Sequence, residues 1–143
     1  MLCGGFVMKR AIALLLAFSL AFLLAGCDKN KKPYNEAVEL MENGQYLEAS
    51  EAFAALGDYE DSAEKVLLCK YKYADKFMQN SNFLKASEAF AALGDYEDSA
   101  EKVLLCKYKY ADKLLQNNDI QGALNAFTEL GEYSDSQQKV QQI

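Results

Sequence analysis

The chain contains no histidine, which removes the side chain that most often moves protons near neutral pH. What remains for chemistry is carboxylates, cysteines and alternating lysine and tyrosine. Gly57-Asp58-Tyr59-Glu60-Asp61-Ser62 crowds three carboxylates into a turn, but calcium takes about six to eight oxygens at staggered positions. Helix capping is the better assignment, with Asp61 as N-cap and Glu64 three residues on, repeated as Asp98 with Glu101 and Asp135 with Gln138. Cys69 and Cys106 stand far apart and no cysteine pair has CxxC spacing, so no metal site is expected. Serine and lysine occur together without a recognisable nucleophile-base motif. We therefore expect no catalytic residues, no cofactor and no enzymatic activity.

Lys70-Tyr71-Lys72-Tyr73 recurs as Lys107-Tyr108-Lys109-Tyr110. One reading makes Lys70, Tyr71, Lys72, Lys107, Tyr108 and Lys109 a partner-binding stripe for acidic or C-terminal carboxylate groups of a peptide. The plainer reading packs the tyrosines between helices and leaves the lysines solvated, because successive helical residues lie about 100 degrees apart.

These recurrences belong to a larger one. The 28 residues from Ala49 to Lys76 recur letter for letter as Ala86 to Lys113, an offset of 37. A third, degenerate copy keeps phase through Ala123, Phe127, Leu130, Gly131, Tyr133, Asp135 and Ser136, and a first, partial one through Ala37, Leu40, Met41, Asn43 and Tyr46. Such a period marks stacked units that bury their apolar faces against one another. Polar groups present in every unit then have structural reasons, whereas a catalytic centre is an asymmetric cluster.

Within a unit, Phe83, Ala86, Ala89, Phe90 and Leu93 fall on one helical face. Gly57, Gly94 and Gly131 follow where a left-handed residue ends a helix. The spacing predicts an all-α solenoid of about three helix-turn-helix repeats with seven helices, near 33–42, 45–56, 61–79, 82–93, 98–116, 119–130 and 135–142. Units fall near 34–60, 61–97 and 98–134, with a stub at 135–143. Equivalent positions on stacked helices lie farther apart than a disulfide spans, so Cys69 and Cys106 are expected as buried free thiols.

The N-terminal part carries an address. Lys9 and Arg10 precede an apolar run from Ala11 to Gly26, too short for a spanning helix of about 20 residues and built like an export signal. Leu24-Ala25-Gly26-Cys27 resembles a bacterial lipobox. That resemblance implies a thioether-linked diacylglycerol on Cys27 and cleavage just before it, which makes residues 1–26 a signal peptide. Ordinary secretion with a cut near Ala25, or an uncleaved anchor, are the alternatives. Residues 27–33 then read as the lipidated Cys27 and a polar tether, and residues 34–143 as the repeat domain. Acyl chains on Cys27 would hold the protein on the extracytoplasmic face of the cell membrane without spanning it. Loss of Lys9 and Arg10 with the signal takes the net charge from −6 to −8. An acidic body repels polyphosphate, so nucleic acid is not an expected partner.

Gly44-x-Tyr46-x-x-Ala49-x-x-x-Phe53-x-x-Leu56, with Phe83, Ala86, Phe90 and Leu93 in the next unit, resembles the turn and second helix of a tetratricopeptide repeat. The period departs from the family's value of about 34, no Trp opens the first helix, and Leu-Gly-Asp-Tyr-Glu-Asp-Ser replaces the usual junction. The resemblance implies protein or peptide binding on a concave face and no catalysis. The reading is thus a membrane-anchored adaptor for an envelope protein or peptide. The alternatives are a structural spacer or homo-oligomer, and an accessory small-molecule-binding lipoprotein.

Overall fold

The computed structural model describes residues 28–143 and is all-helical, with seven helices and no strand among the described residues. In chain order these are α1 Lys31–Glu42, α2 Tyr46–Leu56, α3 Ser62–Gln79, α4 Phe83–Ala91, α5 Ser99–Gln116, α6 Ile120–Leu130 and α7 Ser136–Gln142. Each helix packs mainly on those next to it in sequence. The result is a row of helical pairs, α1 with α2, α3 with α4 and α5 with α6, followed by α7.

The 37-residue period is visible in the core. Ala37, Ala74 and Ala111, and Ala49, Ala86 and Ala123, are fully buried and let paired helices approach closely. Phe53, Phe90 and Phe127 fill the space between the pairs, each with no exposed surface. Burying a side chain of that size contributes about 1.5–3 kcal/mol. Three separate clusters result, each built on one pair and completed by the first helix of the next unit, as expected of a chain whose units contact only their neighbours. Cys69 sits in the first cluster and Cys106 in the second, both buried free thiols.

The turns between pairs are tighter than a left-handed cap. Gly57 and Gly131 have φ of 60° and 57° but ψ of −124° and −116°, a region closed to residues with a Cβ. A backbone bond from Tyr59 N to Leu56 O (3.3 Å) and another from Ser62 N to Tyr59 O (3.0 Å) then turn the chain into α3.

Two boundaries differ from expectation by two residues, the others by one or none. α4 ends at Ala91, with Ala92 N bonding to Glu88 O and Leu93 N to Phe90 O as the last turn tightens. α1 starts at Lys31, inside the stretch read as a tether, with Pro33 accommodated in its first turn, where no intrahelical N–H bond is lost.

Candidate functional site

The most elaborate cluster of polar side chains among the described residues is the joint between successive units, built alike at the second and third and in reduced form at the first. At the second joint the Tyr71 ring from α3 meets Phe90 of α4 edge-on at 5.5 Å and Tyr96 of the connecting turn at 5.9 Å. Its hydroxyl donates to Asp98 Oδ1 at the head of α5 (2.5 Å). Lys102, one turn into α5, lies over the Tyr71 ring at 4.4 Å and reaches back to Asp75 Oδ1 of α3 at 2.7 Å. The third joint repeats this with Tyr108, Phe127, Tyr133, Asp135, Lys139 and Asp112. The first has Tyr34 donating to Asp61 at 2.5 Å but Val38 where an aspartate would stand, and Lys65 turns instead to Asp61 of its own helix at 3.2 Å.

The charges respond as the geometry requires. The Asp61 hydrogen bond pushes the Tyr34 hydroxyl up to about 12, and the same bond holds the Asp61 carboxyl below its ordinary value. Burial works against the Lys102 ammonium, yet the bonds to Asp75 and Tyr71 outweigh it and its pKa is raised. Desolvation raises both thiols, which leaves them poor nucleophiles.

This geometry corrects the capping-box expectation. Asp61, Asp98 and Asp135 do precede α3, α5 and α7, but none makes a side-chain cap bond. Their ψ of 22° to 23° is far from the extended conformation a side-chain cap uses, and each carboxylate accepts a tyrosine hydroxyl from 27 residues upstream. Among the described helices the one side-chain cap is at α6, where Asp119 accepts from Gly122 N at 2.9 Å. A side chain at position 122 would collide with that carboxylate.

The same joints settle the lysine-tyrosine runs. Tyr71 and Tyr108 are packing residues, and the flanking lysines do not form one stripe with them. Lys107 borders a groove of about 290 Å³ with Leu84, Tyr110, Leu114, Gly122 and Asn125 between α4, α5 and α6. Lys109 points to another side, beside Ser81, Phe83, Asp112 and Lys113. Lys70 and Lys72 are likewise exposed on α3. The Lys107 groove traces to two departures from the repeat. Where Leu114 and Gly122 stand, the preceding unit has Phe77, edge-on to Tyr73 at 4.7 Å, and Lys85, reaching over the Phe77 ring at 5.9 Å.

Around this groove runs an apolar face that the sequence reading did not single out. Leu84 is 48% exposed beside Lys107, and its equivalent Leu47 is 45% exposed one unit earlier. Leu67 and Leu104, one turn before Lys70 and Lys107, are also exposed. The signal was the leucine at the same place in two units, outside the buried face.

No family model, characterised protein or solved structure matches this chain. Cys27, read as the acylated residue, lies outside the described residues. Among the described residues no helix is long and apolar enough to cross a membrane, and no cluster of three ligating side chains is placed to hold a metal ion.

Proposed function

We propose that the protein is a membrane-anchored, non-catalytic adaptor of a bacterial envelope that binds a protein or peptide segment along the face of Leu47, Lys70, Leu84 and Lys107. The observation that carries the reading is repetition of an exposed leucine beside an exposed lysine, one period apart, on units whose other recurring polar groups are spent on joints. Solvated leucines on a regular spacing suit apolar side chains of a partner, and the intervening ammonium groups suit its carboxylates. The resemblance to tetratricopeptide repeats agrees with this, as does the lipobox-like Leu24-Ala25-Gly26-Cys27 for the anchor.

The test is crosslinking with mass spectrometry from intact cells. The adaptor reading expects links from Lys70 and Lys107 to a small set of envelope proteins, lost in Lys70→Glu/Lys107→Glu. Links only between copies of this chain would establish the spacer reading in its place. Metabolic labelling with a fatty-acid analogue checks the anchor, and label retained in Cys27→Ala would reject it.

A further inference from the structure

The residue after Cys27 is built into the first helical pair. Asp28 accepts the Tyr59 hydroxyl through Oδ2 and the Asn30 N–H through Oδ1 at 3.1 Å, while its carbonyl accepts from Lys31 N at 3.1 Å, where α1 begins. Tyr59 is itself fixed, edge-on to Tyr34 at 5.6 Å. Cys27 directly precedes Asp28 in the sequence. On the acyl-anchor reading, no linker residue separates the lipid-bearing cysteine from the first residue tied into the folded domain.

The surface beside that attachment is basic. Moved by one period, Lys29, Lys31 and Lys32 correspond to Val66, Leu68 and Cys69 of α3 and to Val103, Leu105 and Cys106 of α5. In α3 and α5 those positions are wholly or partly buried; here the three lysines are exposed. Glu36 approaches Lys32 at 3.6 Å, with both side chains largely solvated, while Asp28, Glu60 and Asp61 gather at Tyr34 and Tyr59, two of them bonded to the tyrosine hydroxyls. Simple solubility of an end face needs no particular sign of charge, and α7 meets water with Gln137, Gln138, Gln141 and Gln142. Three lysines together in a net acidic chain, next to the residue read as acylated, match a negatively charged bilayer.

We propose that the α1 end of the domain lies directly on the membrane, with Lys29, Lys31 and Lys32 against anionic phospholipid headgroups and the Asp28 to Tyr59 bond fixing the row of helices relative to the bilayer. The proposal rests on the acyl-anchor reading and adds a lipid-contact surface and an orientation to it. The diacylglycerol read on Cys27 carries two acyl chains, enough for stable attachment, so the lysines supply headgroup contact and orientation and not the attachment itself. Three lysines near an anionic surface favour that contact on the order of 100-fold at physiological ionic strength.

The test uses the full, processed protein purified from membranes and reconstituted into vesicles of phosphatidylcholine alone or with phosphatidylglycerol. Mass spectrometry first reports the acyl group on Cys27. Hydrogen exchange is then read at residues 29–34 and, for comparison, at α7. The expected result is slowed exchange at 29–34 only with phosphatidylglycerol, loss of that slowing in Lys29→Gln/Lys31→Gln/Lys32→Gln, and partial loss in Tyr59→Phe, with α7 unchanged throughout. An acylated protein whose residues 29–34 exchange equally in both vesicles overturns the surface while leaving the anchor intact. A protein without acyl group overturns the anchor and this proposal together. Circular dichroism of both variants separates lost contact from lost fold, and slowing that persists in a folded triple variant also overturns the proposal.

Discussion

The hydroxyl of Tyr71 meets Asp98 Oδ1 at 2.5 Å, joining the middle of α3 to the head of α5. It crosses from one helical pair to the next. Tyr71→Phe should lower unfolding free energy by about 1–2 kcal/mol, the worth of a hydrogen bond to a carboxylate reduced by the solvent that reaches the half-exposed Asp98. Glu101→Ala, in contrast, should stay within about 0.5 kcal/mol, since Asp98 makes no side-chain cap bond and Glu101 is exposed. Denaturant titration compares them. Loss from Glu101→Ala equal to that from Tyr71→Phe would restore the capping box as the operative contact.

Two lysines at equivalent positions should differ in weight. Lys102 pairs with Asp75 at 2.7 Å, with side chains only 17% and 19% exposed, whereas Val38 stands at the position equivalent to Asp75 and Lys65 pairs with Asp61 at 3.2 Å. Lys102→Met leaves a half-buried carboxylate unpaired and should cost about 1.5–3 kcal/mol. Lys65→Met loses a contact within one helix and should cost under about 1 kcal/mol. Chemical denaturation of the two variants side by side gives the ranking.

Backbone strain offers a stabilising change. Gly44, Ser81 and Asn118 occupy the same turn within successive pairs, with φ of 73°, 56° and 62°. Serine pays a steric penalty there that glycine does not, about 1–2 kcal/mol, against about 1 kcal/mol of extra chain entropy in the unfolded state. Ser81→Gly should therefore hold or slightly raise the melting temperature, and Gly44→Ser should lower it. Thermal unfolding with the opposite order would refute the strain argument.

Alkaline titration reports on the joints. Tyr34 and Tyr59 are pushed up to about 12, chiefly by their hydrogen bonds to Asp61 and Asp28. A raised folded-state value means stability fully present below the ordinary tyrosine value near 10 and lost as pH rises towards 12. Phenolate absorbance should thus show a late-titrating class that shrinks in Asp61→Asn and in Asp28→Asn. On the acid side Asp61 is lowered, so its contribution stands above the ordinary carboxyl value and disappears as pH falls through the lowered one.

The sequence made the helices legible because their signals are local. Alternation of Phe and Ala on one face, glycine after each second helix and the 37-residue echo each need only a short window. The destination of Asp98 was not legible. A carboxylate at the head of a helix looks the same whether it bonds its own backbone or a tyrosine 27 residues back, and the backbone angles that decide between them depend on the preceding turn. The lysine-tyrosine run was half legible: helical geometry already separated the tyrosines from the lysines, but the opening beside Lys107 required knowing that Phe77 and Lys85 fill the same place one unit earlier. The start of α1 was missed because three lysines and a proline read as solvated chain, and the Tyr59 bond that pins Asp28 crosses 31 residues.

The second and third joints each draw their tyrosine and second aspartate from one block and their first aspartate and lysine from the next. A further 37-residue block inserted between two existing ones would therefore arrive carrying both halves of what its neighbours require. Such a chain could grow or shrink by whole blocks through unequal recombination of its own coding sequence, and the length of the row of helices would change in fixed steps while the existing interfaces stayed as they are.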